Sequence, residues 1–171
     1  MFGGDYSTQF KRLYFILRFE VPILEIERKF LIDKEAFDYK AYPFKELEQG
    51  YLCTNPVVRV RKEDSNYYLT YKGKGLLARE EYNLPLNEEA YNHLIVKSDG
   101  LVIAKRRYLI PYGKFTVELD EFKNELAPLL LAEVEFESVE EANSFVPPEW
   151  FTKDVTDDPE YHNSNMSKRK G

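Results

Sequence analysis

The sequence is poor in the residue types that form disulfides and soft-metal sites. It has 171 residues, with one cysteine, Cys53, and two histidines, His93 and His162. A single cysteine excludes an internal disulfide and any zinc site built from paired cysteines, and it favours a reducing compartment. A bound metal ion is therefore expected to be a hard cation that takes oxygen ligands.

The chain also lacks long apolar runs and an excess of basic charge. No segment approaches the roughly 20 apolar residues that a membrane-spanning helix needs. The formal net charge of -6 argues against non-specific binding to nucleic acid or to anionic membranes. Lys11, Arg12 and Arg18 interrupt an aromatic N-terminal stretch. We therefore predict that residues 1–23 form an extension and not a signal peptide, with the protein in the cytoplasm.

The remaining composition is typical of a globular protein, with 32% charged and 15% aromatic residues. We predict one domain over residues 24–171. Alternating patterns and turn residues predict about eight antiparallel strands with two or three helices between them. Helix starts are expected at the capping residues Asp33, Asn87 and Ser138. This pattern favours a barrel or a sandwich over a parallel α/β sheet.

Six predicted strands carry two charges of the same sign at positions i and i+2, which lie on one face of a strand. The acidic pairs are Glu25/Glu27, Glu118/Asp120 and Glu133/Glu135, and the basic pairs are Arg59/Arg61, Lys72/Lys74 and Lys105/Arg107. The intervening residues are mostly apolar, as at Ile26, Val60 and Val134. Most of these strands therefore have one ionic face and one apolar face.

A solvated outer face explains any one of these pairs on its own. It explains the whole set poorly, because cross-strand neighbours on a solvated sheet favour opposite charges. If the strands close into a barrel with the ionic faces inside, its acidic and basic walls would bind a divalent cation and a chain of phosphates. Helices would then cover the apolar outer faces. A β-sandwich with a charged outer surface is the alternative.

An ordered series of motifs resembles the CYTH superfamily, the triphosphate tunnel metalloenzymes. Glu25-Ile26-Glu27-Arg28-Lys29 resembles the ExExK signature of that family. The series continues through residues 49–52, 59–61, 70–73, 105–108, 117–122, 132–136 and 154–158. The resemblance implies an α+β fold, an eight-stranded antiparallel β-barrel with helices packed outside. It also implies hydrolysis of the terminal phosphate of a triphosphate, with inorganic tripolyphosphate as the expected substrate and Mg²⁺ or Mn²⁺ as the cofactor.

The resemblance also implies roles for individual residues. The implied metal-binding set is Glu25, Glu27, Glu118, Asp120, Glu133 and Glu135. The implied phosphate-binding set is Lys29, Arg59, Arg61, Lys72, Arg79, Lys105 and Arg107. Lys74 is a further candidate through its pairing with Lys72 alone, and the glycines on either side of it leave its direction open. Lys29 and Glu27 are the implied catalytic residues, with either Lys29 or a carboxylate acting on the attacking water. Glu81 is a further candidate from the motif Arg79-Glu80-Glu81-Tyr82-Asn83, which departs from related bacterial sequences because Asn83 replaces a carboxylate.

Several alternatives remain open at this point. Within the family they are a nucleoside or thiamine triphosphatase, a class IV adenylate cyclase and a non-catalytic polyphosphate-binding module. The expected partner is a small-molecule triphosphate or polyphosphate, with no nucleic acid and no membrane, and a dimer is possible. We interpret His162 as an exposed loop residue with no role in the site.

Overall fold

A computed structural model describes residues 23–36, 38–74 and 77–169. The strands in these ranges are β1 Ile23–Ile32, β2 Phe44–Thr54, β3 Val57–Glu63, β4 Asn66–Lys72, β5 Ala78–Leu86, β6 Asp99–Tyr112, β7 Phe115–Phe122, β8 Leu130–Glu135 and β9 Phe151–Asp154. The α-helices are α1 Glu88–Ile95, α2 Val139–Ser144 and α3 Asn163–Met166. Except for Ile23, the predicted N-terminal extension lies outside the described residues.

Eight of the described strands close into an antiparallel barrel. Their order is β5-β4-β3-β2-β6-β7-β8-β1, and β1 pairs back onto β5. The predicted eight-stranded antiparallel barrel of the α+β class is therefore confirmed. The short strand β9, which the sequence did not predict, pairs with the second half of β1, where Phe30 lies opposite Asp154.

The apolar faces of the strands are buried on the outside of the barrel. Ile26, Leu119 and Val134 lie in one cluster with aromatic residues such as Phe136 and Phe145. Because successive side chains of a strand point to opposite faces, burying these residues under the outer elements directs the neighbouring ionic side chains inward. Hydrophobic burial thus fixes which face of each strand lines the interior.

Two of the three predicted helix starts are confirmed. The Asn87 side chain accepts a hydrogen bond from the backbone N–H of Ala90 at 2.8 Å, and Ser138 caps α2 in the same way. The third prediction, a helix starting at Asp33, is wrong. The Asp33 carboxylate accepts a hydrogen bond from the Glu35 N–H at 3.0 Å and forms a turn. Asp favours such local turns because its short side chain reaches nearby backbone donors.

The C-terminal segment packs against the barrel through a close backbone contact. Gly100 has a φ of +69°, and a Cβ atom there would lie 2.1 Å from the carbonyl oxygen of Ser167. The Leu101 N–H donates to that same oxygen at 2.7 Å, and Met166 is fully buried. This contact brings residues 162–164 to the interior of the barrel. In the described part of the chain, no helix is both long enough and apolar enough to cross a membrane.

Candidate active site

A cavity of about 380 Å³ lies inside the barrel, and all eight barrel strands contribute side chains to it. Its acidic lining is Glu25, Glu27, Glu63, Glu81, Glu118, Glu133 and Glu135. Its basic lining is Lys29, Lys45, Arg59, Arg61, Lys72, Arg79, Lys105 and Arg107. The ionic faces therefore meet in one enclosed space, which excludes the alternative of a sandwich with a charged outer surface. Of the predicted site residues, Asp120 and Lys74 do not line this cavity.

Lys29 lies between two carboxylates in the wall formed by β1 and β8. Its ammonium contacts Glu133 and lies 3.1 Å from Oε1 of Glu27. Burial alone would lower the pKa of Lys29, but Glu133 and Glu27 outweigh burial and raise the pKa well above its usual value. The ammonium therefore stays charged at neutral pH and can donate hydrogen bonds but cannot accept a proton.

Arg107 is the centre of a second ionic group. Its Nε and Nη2 atoms each lie 2.7 Å from a carboxylate oxygen of Asp120, and its guanidinium also contacts Glu118 and Glu133. Asp120 is fully buried behind the cavity wall and pairs with Lys105 as well. The structure therefore places Asp120 where it can orient Arg107 and Lys105, and not on the cavity surface with the other predicted metal ligands.

Lys72 and Arg79 form a third group on β4 and β5. The Lys72 ammonium lies 2.6 Å from Glu25 Oε2 and 2.6 Å from Glu81 Oε2. Arg79 donates to Glu25 and to Glu27, each at 2.8 Å. Burial alone would raise the pKa of Glu81, but the nearby charge of Lys72 outweighs burial and lowers this pKa to about 2. Glu81 therefore joins the ionic lining.

Lys74 differs from the other predicted phosphate ligands. It lies two residues beyond the end of β4, is exposed, and is not part of the cavity lining. The alternation that directs Lys72 inward ends with the strand, so the spacing of the pair does not place the second charge. We leave Lys74 out of the proposed phosphate-binding set.

Arg59 and Arg61 line the cavity from β3. The Nε atoms of both are buried and have no hydrogen-bond partner among the described residues. Arg59 donates to Gln49 Oε1 at 3.2 Å, and Arg61 Nη2 lies 3.8 Å from Glu63 Oε2. Burial lowers the pKa of Arg61, and the nearby charge of Arg59 lowers it further. Two adjacent guanidinium groups with free donors make this wall suitable for an anion.

Carboxylates face each other across the acidic wall. Glu27 lies opposite Glu135 in the β1–β8 ladder, and Glu118 lies opposite Glu133 in the β7–β8 ladder. Burial and the nearby charges of Glu118, Glu25 and Glu27 raise the pKa of Glu135 to about 7. Directly opposed like charges are unfavourable unless a cation intervenes.

The donor set of the acidic wall consists of carboxylate oxygens, the ligand type that hard divalent cations prefer. Among the described residues, no group of three His, Cys, Asp or Glu side chains converges as a preformed metal cluster. Most of the carboxylates pair with lysine or arginine side chains instead. The chemistry of the residues fits a hard divalent cation, with Glu25, Glu27, Glu118, Glu133 and Glu135 as the available ligands.

Two polar residues of β2 also line the cavity, although the sequence analysis gives them no role beyond their place in the motif at 49–52. Gln49 is buried and donates from Nε2 to the hydroxyl of Tyr51 at 3.1 Å. Gln49 also accepts from Arg59, so this pair supports the basic wall. Their i, i+2 spacing is the same signal that identified the charged pairs, but neither residue is charged.

The interpretation of His162 as an exposed loop residue is wrong. His162 is buried, lines the cavity, and has its Nε2 atom 3.1 Å from the carbonyl oxygen of Thr156. Burial lowers the pKa of His162, and the nearby positive charge of Lys29 lowers it further. No local pattern predicts this position, because packing of the C-terminal segment on the barrel determines it.

A closed antiparallel barrel whose acidic and basic walls face one internal cavity defines the class of this protein, a β-barrel with an ionic tunnel. Residues 24–168 match the family described as the CYTH domain, which is most of the chain. The chain therefore belongs to the CYTH family, and the resemblance inferred from its motifs is confirmed.

The protein is similar to two curated relatives, both named inorganic triphosphatase. The relative from Nitrosomonas europaea is 37% identical over 148 residues, covering 84% of this chain and 96% of the relative. The relative from Acetivibrio thermocellus is 39% identical over 152 residues, covering 84% of this chain and 93% of the relative. The crystal structure of an inorganic triphosphatase matches with a TM-score of 0.65 and 33% identity, covering 85% of this chain and 95% of that one.

Proposed function

We propose that this protein is an enzyme that hydrolyses triphosphates with the help of a divalent cation. The proposed substrate is inorganic tripolyphosphate, and the proposed reaction is release of its terminal phosphate inside the barrel. The observation that carries the proposal is the pairing of an arginine wall that has free buried donors with a wall of opposed carboxylates. The names of the two relatives support the choice of substrate.

The basic residues of the cavity would hold the phosphate chain. Arg59 and Arg61 can each offer two parallel N–H groups to phosphate oxygens, whereas Lys72 and Lys105 act as point charges. Burial lowers the pKa of both lysines, so an anion beside them would favour their charged forms. Arg107 and Arg79 already bind carboxylates, and phosphate oxygens are alternative acceptors for the same N–H groups.

The carboxylates would hold the divalent cation, which we propose to be Mg²⁺ or Mn²⁺. The fit depends on the carboxylate oxygens of the acidic wall, above all on the opposed pairs Glu27/Glu135 and Glu118/Glu133. When bound, the cation would neutralise part of the negative charge on the phosphate oxygens. Phosphoryl transfer depends mainly on positioning and on such charge stabilisation, so the protein needs few reactive groups of its own.

Lys29 and Glu27 have different roles toward the attacking water. Because the charged Lys29 has no lone pair, it can orient an oxygen but cannot remove a proton. The carboxylate of Glu27 lies 3.1 Å from the Lys29 ammonium and can accept a hydrogen bond from the water. We therefore favour the carboxylate as the group that orients the water, with Lys29 fixing the carboxylate and stabilising negative charge.

The function is tested by comparing substrates under the same conditions. Release of phosphate from tripolyphosphate, ATP and thiamine triphosphate is measured with Mg²⁺ and with Mn²⁺. The proposal expects the highest kcat/KM with tripolyphosphate. Formation of cyclic AMP as the main product from ATP would favour a cyclase instead, and tight tripolyphosphate binding without phosphate release would favour a binding module. The cytoplasmic location, the possible dimer and the lack of nucleic-acid or membrane partners stay predictions from the sequence.

A further inference from the structure

Strand β1 changes neighbours at Lys29. On one edge of β1, β5 pairs with residues up to Ile26, and β9 pairs with residues from Phe30 onward. Between these two ladders, the Glu27 N–H donates to the carbonyl oxygen of Leu77 at 3.1 Å. Lys29 therefore lies at a gap in the barrel wall where neither β5 nor β9 pairs with the strand.

The residues that follow β9 bridge this gap. The Val155 N–H donates to the carbonyl oxygen of Lys29 at 2.9 Å. The Lys29 N–H donates to Oγ1 of Thr156 at 3.0 Å, so a side-chain hydroxyl takes the place of a backbone acceptor. Lys29 and Thr156 are both buried, which means that water does not readily replace a lost acceptor.

The Thr156 hydroxyl is itself held in one orientation. It donates its single hydrogen to Oδ1 of Asp154 at 2.5 Å, which leaves its lone pairs for the Lys29 N–H. Arg28 binds the other Asp154 oxygen at 2.5 Å. The carbonyl oxygen of Thr156 contacts His162 Nε2 at 3.1 Å. The threonine is thus fixed from the outer surface and from the C-terminal segment at once.

We propose that Thr156 is a positioning residue for Lys29. Its hydroxyl fixes the backbone of β1 at the gap and so keeps the Lys29 ammonium between Glu27 and Glu133. Thr156 does not line the cavity, and its hydroxyl reaches the site through the Lys29 N–H. A displacement of about 1 Å at a reacting group can lower a rate by two orders of magnitude. This inference rests on the proposed function of the site.

The test combines two substitutions at Thr156 with one at Lys29. Thr156→Val keeps the shape but removes the acceptor, whereas Thr156→Ser keeps the hydroxyl. We expect Thr156→Val to lower kcat for tripolyphosphate by at least about tenfold, with KM changed by less than about threefold. Thr156→Ser should restore most of kcat. In a Lys29→Ala background, Thr156→Val should have no further effect on the residual rate, because residues that act through one group are not additive.

Thr152→Val, the same change at an exposed position of β9, is the matched control and should leave kcat unchanged. A wild-type kcat for Thr156→Val would overturn the proposal. So would a loss of kcat in the Lys29→Ala background by the same factor as in the wild type. If Thr156→Val does not fold, Asp154→Ala replaces it in the same test. It should lower kcat of the wild type and have no further effect on the residual rate of Lys29→Ala. An inactive wild-type protein contradicts the proposed function itself, whereas an active wild type with a fully active Thr156→Val contradicts this inference alone.

Discussion

Glu27 and Glu135 lie directly opposite each other on β1 and β8, and both line the same cavity. Each also lies two residues from a further carboxylate of the cavity lining, Glu25 or Glu133. Opposed carboxylates repel unless a cation lies between them, so we expect this pair to lower the stability of the metal-free protein. We interpret that loss of stability as a consequence of a site built to bind a divalent cation.

The first prediction concerns the stability of the metal-free protein as a function of pH. The pKa of Glu135 is about 7 in the fold, against an ordinary value of 4.5. A raised pKa means that the folded protein binds this proton more tightly than the unfolded chain does. The resulting stabilisation is complete below pH 4.5 and is lost as the pH rises through 7. Glu135→Gln removes the ionisation and should raise Tm at pH 8, with little effect near pH 4.

Thermal unfolding in the presence of a chelator measures this difference. Glu137→Gln is the matched control, because Glu137 lies beyond the end of β8 and does not line the cavity. It should leave Tm unchanged at both pH values. A Glu135→Gln variant whose Tm at pH 8 equals or falls below that of the wild type would contradict the assigned cause of the raised pKa.

The second prediction concerns the arginine wall. Arg59→Ala removes a buried guanidinium with a free donor and should lower kcat/KM for tripolyphosphate by roughly 10² to 10³. Arg59→Lys should recover only part of this loss, since an ammonium lacks the planar pair of donors. Lys62→Ala on the same strand is the control, because Lys62 does not line the cavity. Equal activity of Arg59→Ala and Lys62→Ala would count against phosphate binding at this wall.

Much of this site follows from the sequence because a strand has a strict two-residue period. Once Ile26 and Val134 are recognised as apolar, geometry places Glu25, Glu27 and Glu133 on the opposite, ionic faces of their strands. Period alone does not determine where a strand ends, so the spacing from Lys72 does not direct Lys74 inward when β4 ends at Lys72.

The parts that sequence reasoning missed depend on tertiary contacts. His162 reaches the cavity because Met166 is buried and Gly100 allows the C-terminal backbone to approach β6. Asp120 has the same pattern as Glu118 but is fully buried and pairs with Lys105 and Arg107, whereas Glu118 lines the cavity. Neither feature leaves a periodic signal in the chain.

The third prediction concerns the backbone contact between Gly100 and the C-terminal segment. Gly100 and Gly113 both have positive φ values, +69° and +60°, but only a Cβ at Gly100 would clash with backbone, at 2.1 Å from Ser167. Gly113→Ala should therefore cost about 1–2 kcal/mol for its backbone conformation alone. Gly100→Ala should cost clearly more, because the backbone of the C-terminal segment must also move. Chemical denaturation of the two variants measures the difference, and equal losses would show that the contact does not hold the segment.

The fourth prediction concerns removal of the metal. Treatment with a chelator should abolish phosphate release, and addition of Mg²⁺ or Mn²⁺ should restore it. Because a ligand that binds only the folded state stabilises it, Mn²⁺ at 100 times its Kd should add about 2.7 kcal/mol to the free energy of unfolding. At the same Mn²⁺ concentration, Glu133→Gln should gain much less stability than the wild type, whereas Glu137→Gln should gain as much. If Mn²⁺ stabilises Glu133→Gln as much as the wild type, then Glu133 is not a ligand of the cation.

Phosphate release from tripolyphosphate by the wild type, Glu27→Gln and Glu137→Gln, measured side by side with saturating Mn²⁺, tests the central claim most directly. The account predicts rapid release by the wild type and by Glu137→Gln. It predicts a loss of roughly 10² or more in kcat for Glu27→Gln, since this change removes a carboxylate from the opposed pair without changing its shape. Binding of tripolyphosphate to the wild type without release, or equal turnover by all three proteins, would contradict it.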